Sequence, residues 1–250
     1  MIPAIQNPFF PTHKKIAGAG HQLVCFPYAG GASVAYRTWE TKLAPSIEVC
    51  SAELPGRGRR FREPPYQRLD ALVPVLVDSM MKVLDGRPFA FFGHSMGGVI
   101  AFEVAHHLQR IGARLPSVLF LSARGTGERD NPIHHLSEPA FIAKLRGYSG
   151  TPEEVLANPE LMELFLPTLR ADFAIALASK GIATEGPLPI PIEAMGGSHD
   201  PHVPTEDLPK WAARTTAAFN STVFAGGHFY IREAEDDVHR LIKARLAGVA

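Results

Sequence analysis

Cysteine is almost absent: Cys25 and Cys50 are the two in the chain. Each lies inside an apolar run, so a disulfide framework is excluded and both read as buried free thiols of a reducing compartment. An excess of charge is also missing. The 25 basic and 25 acidic side chains give a formal net charge of zero, which argues against nucleic acid or an anionic membrane surface as a general partner. No apolar run approaches the length of a membrane span, and the N-terminus lacks a basic-then-apolar signal pattern. The expectation is a cytoplasmic protein with no membrane association. Internal repeats and low-complexity tracts are not found. What remains is 250 residues of 46% hydrophobic content, enough to bury one large core, so residues 1–250 read as a single domain.

Within that domain, apolar strand-like runs alternate with helical patterns. His21 to Phe26, Ile47 to Leu54, Pro88 to Phe92 and Ser117 to Ala123 read as buried strands. The helical stretches between them run from about Val34 to Leu43, Leu69 to Leu84 and Val99 to Ile111. Leu69 to Leu84 is amphipathic, with Leu72, Val75, Leu76, Ser79, Met80 and Val83 on one face, and the Met80-Met81 pair reads as core filler. This β-α-β alternation implies a parallel sheet. Met1 to Gly20 carries little pattern, though Phe9 and Phe10 offer two anchors for docking on the body. From Glu128 to Gly186 no strand is evident. Helical pieces occupy Glu138 to Gly147, Glu153 to Asn158 and Pro159 to Ser179, and the last is strongly apolar. The sheet resumes at Pro189 to Gly196 and ends with Ser221 to Phe224, before a closing helix from Ile231 to about Leu246.

The chemistry concentrates at Gly93-His94-Ser95-Met96-Gly97, a sharp turn between a strand and a helix. A serine held there stands at a strand tip, with very small residues required two places before and two after it. The following helix aims its N-terminal N–H groups and positive dipole end at the site of a developing oxyanion. This is the nucleophile elbow of an α/β-hydrolase, and it needs an acid and then a histidine later in the chain. Asp200, just past a strand end, suits the acid; Asp130 and Asp172 in the insertion and Asp207 at a helix start follow no strand. His228, on a Gly-Gly loop after the last strand, suits the histidine, giving the chain order Ser95, Asp200, His228. His94 reads as a packing or orienting residue, and His106 and His107 as surface or packing residues. His199 and His202 flank Asp200 without a distant fourth ligand, too little for a zinc site; no metal or cofactor is expected. The glycine-rich loop Pro27 to Ser33 would supply the second oxyanion amide, assigned to Ala29, beside that of Met96. The helical insertion, 128–186, stands where this class carries a lid, and its apolar residues would roof a channel for an aliphatic chain. Arg57, Arg59, Arg60 and Arg62 form a local basic run, either a solvated loop with acidic neighbours or a docking surface for an acidic partner or phosphate.

Taken together, Cys25-Phe26-Pro27-Tyr28-Ala29-Gly30-Gly31, Leu54-Pro55-Gly56-Arg57-Gly58, Gly93-His94-Ser95-Met96-Gly97-Gly98 and Gly226-Gly227-His228-Phe229 resemble the type II thioesterases of polyketide synthases and nonribosomal peptide synthetases. The resemblance spans nearly the whole chain and implies an α/β-hydrolase fold with a mostly parallel sheet and a helical lid. It implies an editing role, removing acyl groups from the phosphopantetheine arm of acyl or peptidyl carrier domains; a monomer is the expected state. Arg57, Arg59 and Arg60 then become candidates for carrier docking. A medium-chain fatty acyl thioesterase, or a carboxylesterase on soluble esters, is the alternative expectation.

Overall fold

Alternation along each strand determines which face its side chains take. In β3 (Phe89–His94), Phe89 and Phe91 enter one core while Ala90 and Phe92 enter another. β1 (His21–Phe26) divides the same way, with Val24 and Phe26 on the first side and Leu23 and Cys25 on the second. A strand apolar on both faces must be covered on both, which is the condition of a parallel sheet. In the computed structural model, which describes residues 7–127, 133–177 and 186–248, six strands form one sheet in the order β2-β1-β3-β4-β5-β6. β2 is Ile47–Ser51, β4 Leu119–Ser122, β5 Ile192–Gly197 and β6 Phe219–Phe224, and every neighbouring pair runs parallel.

The first face is covered by α2 (Leu69–Met80), α3 (Met96–Arg110) and a 3₁₀ segment, Thr205–Arg214, that buries Leu208 and Trp211. The second is covered by α1 (Arg37–Lys42), α7 (Tyr230–Glu233) and α8 (Glu235–Ala247), through Trp39, Tyr230, Val238, Ile242 and Leu246. Between β4 and β5 lie α4 (Glu138–Tyr148), α5 (Glu153–Leu156) and α6 (Pro159–Leu177). They carry a small core of their own, with Phe141, Leu145, Met162, Leu169 and Phe173 in it. The expected N-terminal edge of this insertion at Glu128, the end of its last helix at Ser179 and the rival acid Asp130 lie outside the described residues.

The strand order positions the site. The chain leaves β1 for β2 on one side, then returns to β3 on the other, so the loops after β1 and β3 diverge and open a crevice at the carboxyl edge. Phe26 is level with Gly93, and His94 with Ser122, so the loops after β1, β3 and β4 begin at similar heights.

Several boundaries differ from expectation for physical reasons. β2 stops at Ser51 because the chain beyond it turns to the N-terminal segment, where the Glu53 amide bonds to the Phe9 carbonyl at 2.8 Å. Phe9 and Phe10 are both buried there. β5 begins only at Ile192, since Pro189 and Pro191 have no N–H to give a central ladder. The closing helix is split at Ala234, whose φ of −101° and ψ of 27° are not helical. α2 buries Leu72, Val73, Leu76, Val77, Ser79 and Met80, so Val75 points outward, and Met81 is exposed rather than core filler. Cys25 and Cys50 are free and buried, as the sequence indicates.

Candidate active site

The elbow is built by close approach. A Cβ placed on Gly93 would lie 2.1 Å from the Gly97 carbonyl oxygen, and one on Gly97 would lie 2.2 Å from the Phe26 carbonyl oxygen. No side chain fits at either position, which accounts for glycine on both sides of the serine. Ser95 itself has φ 54° and ψ −112°, a backbone state that non-glycine residues enter only when their surroundings impose it. The surroundings are visible: the Ser95 amide bonds to the Ser122 carbonyl at 2.8 Å, and its own carbonyl accepts from the Gly98 amide at 3.0 Å.

Three residues widely separated in sequence meet here. His228 Nδ1 lies 2.7 Å from Asp200 Oδ2, and His228 Nε2 lies 3.1 Å from Ser95 Oγ. A carboxylate only accepts, so Nδ1 carries the proton and Nε2 is left to accept from the serine hydroxyl. The other carboxylate oxygen, Asp200 Oδ1, accepts from the amides of His202 at 2.8 Å and Val203 at 3.2 Å. Burial pushes the Asp200 carboxyl upward, but His228 and these amides more than offset it and hold it below the usual aspartate range. Asp200 is thereby kept ionised beneath the imidazole.

His94 sits behind this line, fully buried. Its Nδ1 is 2.8 Å from Ser122 Oγ, which in turn meets the Tyr230 hydroxyl at 2.6 Å. Its ring lies 5.3 Å from that of His228 and 5.2 Å from that of Phe229. Burial, reinforced by His228 and Arg232, lowers its pKa far below the ordinary value, so it remains a neutral packing group. His106 is likewise buried, against Phe102.

Above Ser95 and His228 is a cavity walled by Tyr28 and Ala29 on one side and by Leu145, Tyr148, Phe173, Ala176 and Leu177 of the insertion on the other. Ala29 thus borders the same space as Ser95. Met96 is the first residue of α3, where an amide has no partner within the helix. His202 ties the Asp200 loop to the insertion. Its ring stacks on Tyr148 at 4.0 Å, and its Nε2 lies 3.0 Å from the Gly147 carbonyl. His199, by contrast, is exposed and pairs with Ser198 at 2.9 Å.

The basic run needs correction. Arg57 is buried, 6% exposed, and forms an ion pair with Asp172, 1% exposed, at 2.6 Å. It therefore offers no charge to a docking partner. Arg60 folds back onto Glu63 and over the Phe9 ring, 4.0 Å from its centroid. Arg59 is the exposed member of the three, its backbone amide held by Glu53 at 2.8 Å. The run could not reveal this, because the acid that captures Arg57 is 115 residues away. A signal did exist: Asp172 is the single carboxylate in the second half of α6, set among the apolar Leu169, Phe173 and Ile175. Of the rival acids, Asp172 is thus occupied by Arg57, and Asp207 pairs with Lys210.

A family model described as Thioesterase domain matches residues 21–246. The gramicidin S biosynthesis protein GrsT of Aneurinibacillus migulanus is 35% identical, over 92% of this chain and 90% of its own length. Thioesterase PikA5 of Streptomyces venezuelae is also 35% identical, over 85% of this chain and 76% of its own. Among solved structures, the type II thioesterase BorB from the borrelidin biosynthetic cluster superposes with a TM-score of 0.83 at 33% identity, covering 93% of this chain and 95% of that one.

Proposed function

The chain belongs to the thioesterase domain family, with an α/β-hydrolase fold, and on that premise we propose that it is an editing type II thioesterase of polyketide or nonribosomal peptide assembly. Its substrate is an acyl group carried on the phosphopantetheine arm of a carrier domain. The observation that carries this reading is the hydrogen-bonded line from Asp200 through His228 to a strained Ser95 under an apolar roof.

In this reading His228 Nε2 takes the proton as Ser95 Oγ attacks the thioester carbonyl. Asp200 holds the imidazole in the required tautomer and stabilises its positive form. The oxyanion that develops is met by the amides of Met96 and Ala29, the first aided by the N-terminal end of α3; one such donor is worth about 3–4 kcal/mol. The proton on His228 is available to the departing thiol, which needs less assistance than an amine because thiols are far more acidic. With that proton gone with the thiol, water bonds to the acyl carbon while giving a proton to His228, which returns it to Ser95 Oγ as the ester bond breaks and the carboxylic acid leaves. The insertion serves as a lid, with Leu145, Phe173 and Ala176 against the aliphatic part of the acyl group.

Ser95→Ala should lower acyl release from a carrier-bound thioester by about 10³-fold or more, with the melting temperature unchanged. Retained turnover would remove the proposal. Running the matching oxygen ester beside the thioester separates this function from that of a carboxylesterase, which would favour the ester.

A further inference from the structure

Resting on the reading of Ala29 as an oxyanion donor, we propose that the buried Arg57–Asp172 pair is a positioning device for the loop after β1. Its loss then costs turnover and not substrate binding. The contacts converge on two consecutive residues of that loop. Asp172, on α6, accepts from Arg57 Nη1 at 2.8 Å and Nη2 at 2.6 Å, and its Oδ2 also accepts from the Gly30 amide at 2.7 Å. Arg57 Nη1 further donates to the Gly31 carbonyl at 3.0 Å. The peptide joining Ala29 to Gly30 is therefore held from the insertion, and the Gly31 carbonyl from the loop after β2. Gly30 sits at φ +75°, a state that frees it to present its amide in this direction.

A buried ion pair is a poor means of gaining stability, since apolar side chains of similar volume do as well or better. What a bidentate guanidinium–carboxylate pair supplies is a fixed orientation. Orientation is what an oxyanion donor requires, because it must be in place before charge develops. The Ala29 amide is separated from the clamped Gly30 amide by the two backbone torsions of Ala29 alone. A misplacement of about 1 Å at a reacting centre is enough to cost about 10²-fold in rate. Arg57 and Asp172 touch no substrate in this account; they act through Gly30 and Gly31.

The test uses Asp172→Asn and the double variant Arg57→Met/Asp172→Leu, with Ser95→Ala as reference, on a carrier-bound acyl thioester. Asp172→Asn should lower kcat by about tenfold or more, with KM changed by less than about threefold. The inhibition constant of an acyl trifluoromethyl ketone, whose carbonyl carbon bonds to Ser95 Oγ while its oxygen becomes the oxyanion, should rise in parallel. That of the unreactive amide analogue of the substrate should not. The double variant should regain the melting temperature of the parent without regaining kcat. Recovery of both together, or equal weakening of the two inhibitors, would make the pair mere packing and overturn the proposal. Inhibition constants do not depend on the fraction of active protein, so a partly unfolded preparation still decides. Wild-type kcat in Asp172→Asn with an inactive Ser95→Ala defeats this inference alone; an active Ser95→Ala defeats the reading beneath it.

Discussion

A single methyl group measures how tightly the turn at Ser95 is made. In Gly97→Ala the new carbon would sit 2.2 Å from the Phe26 carbonyl oxygen, which is backbone and cannot swing aside. α3 would have to move off β1, so the denaturant midpoint should fall by the equivalent of about 3 kcal/mol or more. A second residue governs acid tolerance. Burial alone would raise the Glu48 carboxyl, but hydrogen bonds from Arg87, His13, the Ile16 amide and Gln22 more than offset it, bringing it from 4.5 to about 2. A carboxyl depressed in the folded state contributes stability above its unfolded pKa and loses it as pH falls through the folded one. Glu48 should therefore supply about 3 kcal/mol at neutral pH that fades between about pH 4.5 and 2. Glu48→Gln should lower the melting temperature at pH 7 and flatten its fall over that acid interval, which a thermal series across pH would show. An unchanged acid limb would mean that other carboxylates control it.

At the scale of elements, strands were legible where both faces are apolar and less so where one is not. β1 runs over His21–Phe26, carried by the apolar run from Leu23 to Phe26. β6 is an edge strand with mixed exposure and begins at Phe219, before the apolar signal at Ser221. The periodic pattern points α2 to the wrong face because Val73 and Val77 compete with Val75 and Val83 for it, and only the packed sheet chooses between them. α6 was visible as a helix, yet its sequence could not say which residues roof the cavity. Ala176 does. Ala176→Phe should fill that wall and lower kcat/KM for a long acyl chain by about tenfold or more, while leaving an acetyl thioester much less affected. Equal losses on both chains would place the acyl group elsewhere.

Across the whole molecule, what the sequence hid were meetings between distant segments. Ser95, Asp200 and His228 each stand beside a local pattern of small residues at a strand end, so each could be read as a candidate by itself, and the structure brings the three together. The pairing of Arg57 with Asp172 has no local signature of this kind, and neither does the stacking of His202 on Tyr148, because both depend on how the insertion lies on the sheet. The same packing decides where a carrier could approach. With zero net charge, no overall field draws an acidic partner in, so any steering must be local. Exposed Arg59 and Arg62 stand beside the exposed Phe61, whose ring meets Phe165 of α6 at 6.0 Å. Phe165, Gly58 and Thr151 border a second cavity of about 250 Å³, and Thr151 also borders the space over Ser95. A carrier landing on this rim would meet a cavity that shares Thr151 with the space over Ser95. Arg59→Glu should raise KM for a carrier-bound thioester by about fivefold at low salt, with the difference shrinking as ionic strength rises. Turnover of a small soluble thioester should not change. A rise in KM for both substrates, or for neither, would move the carrier's approach to another face.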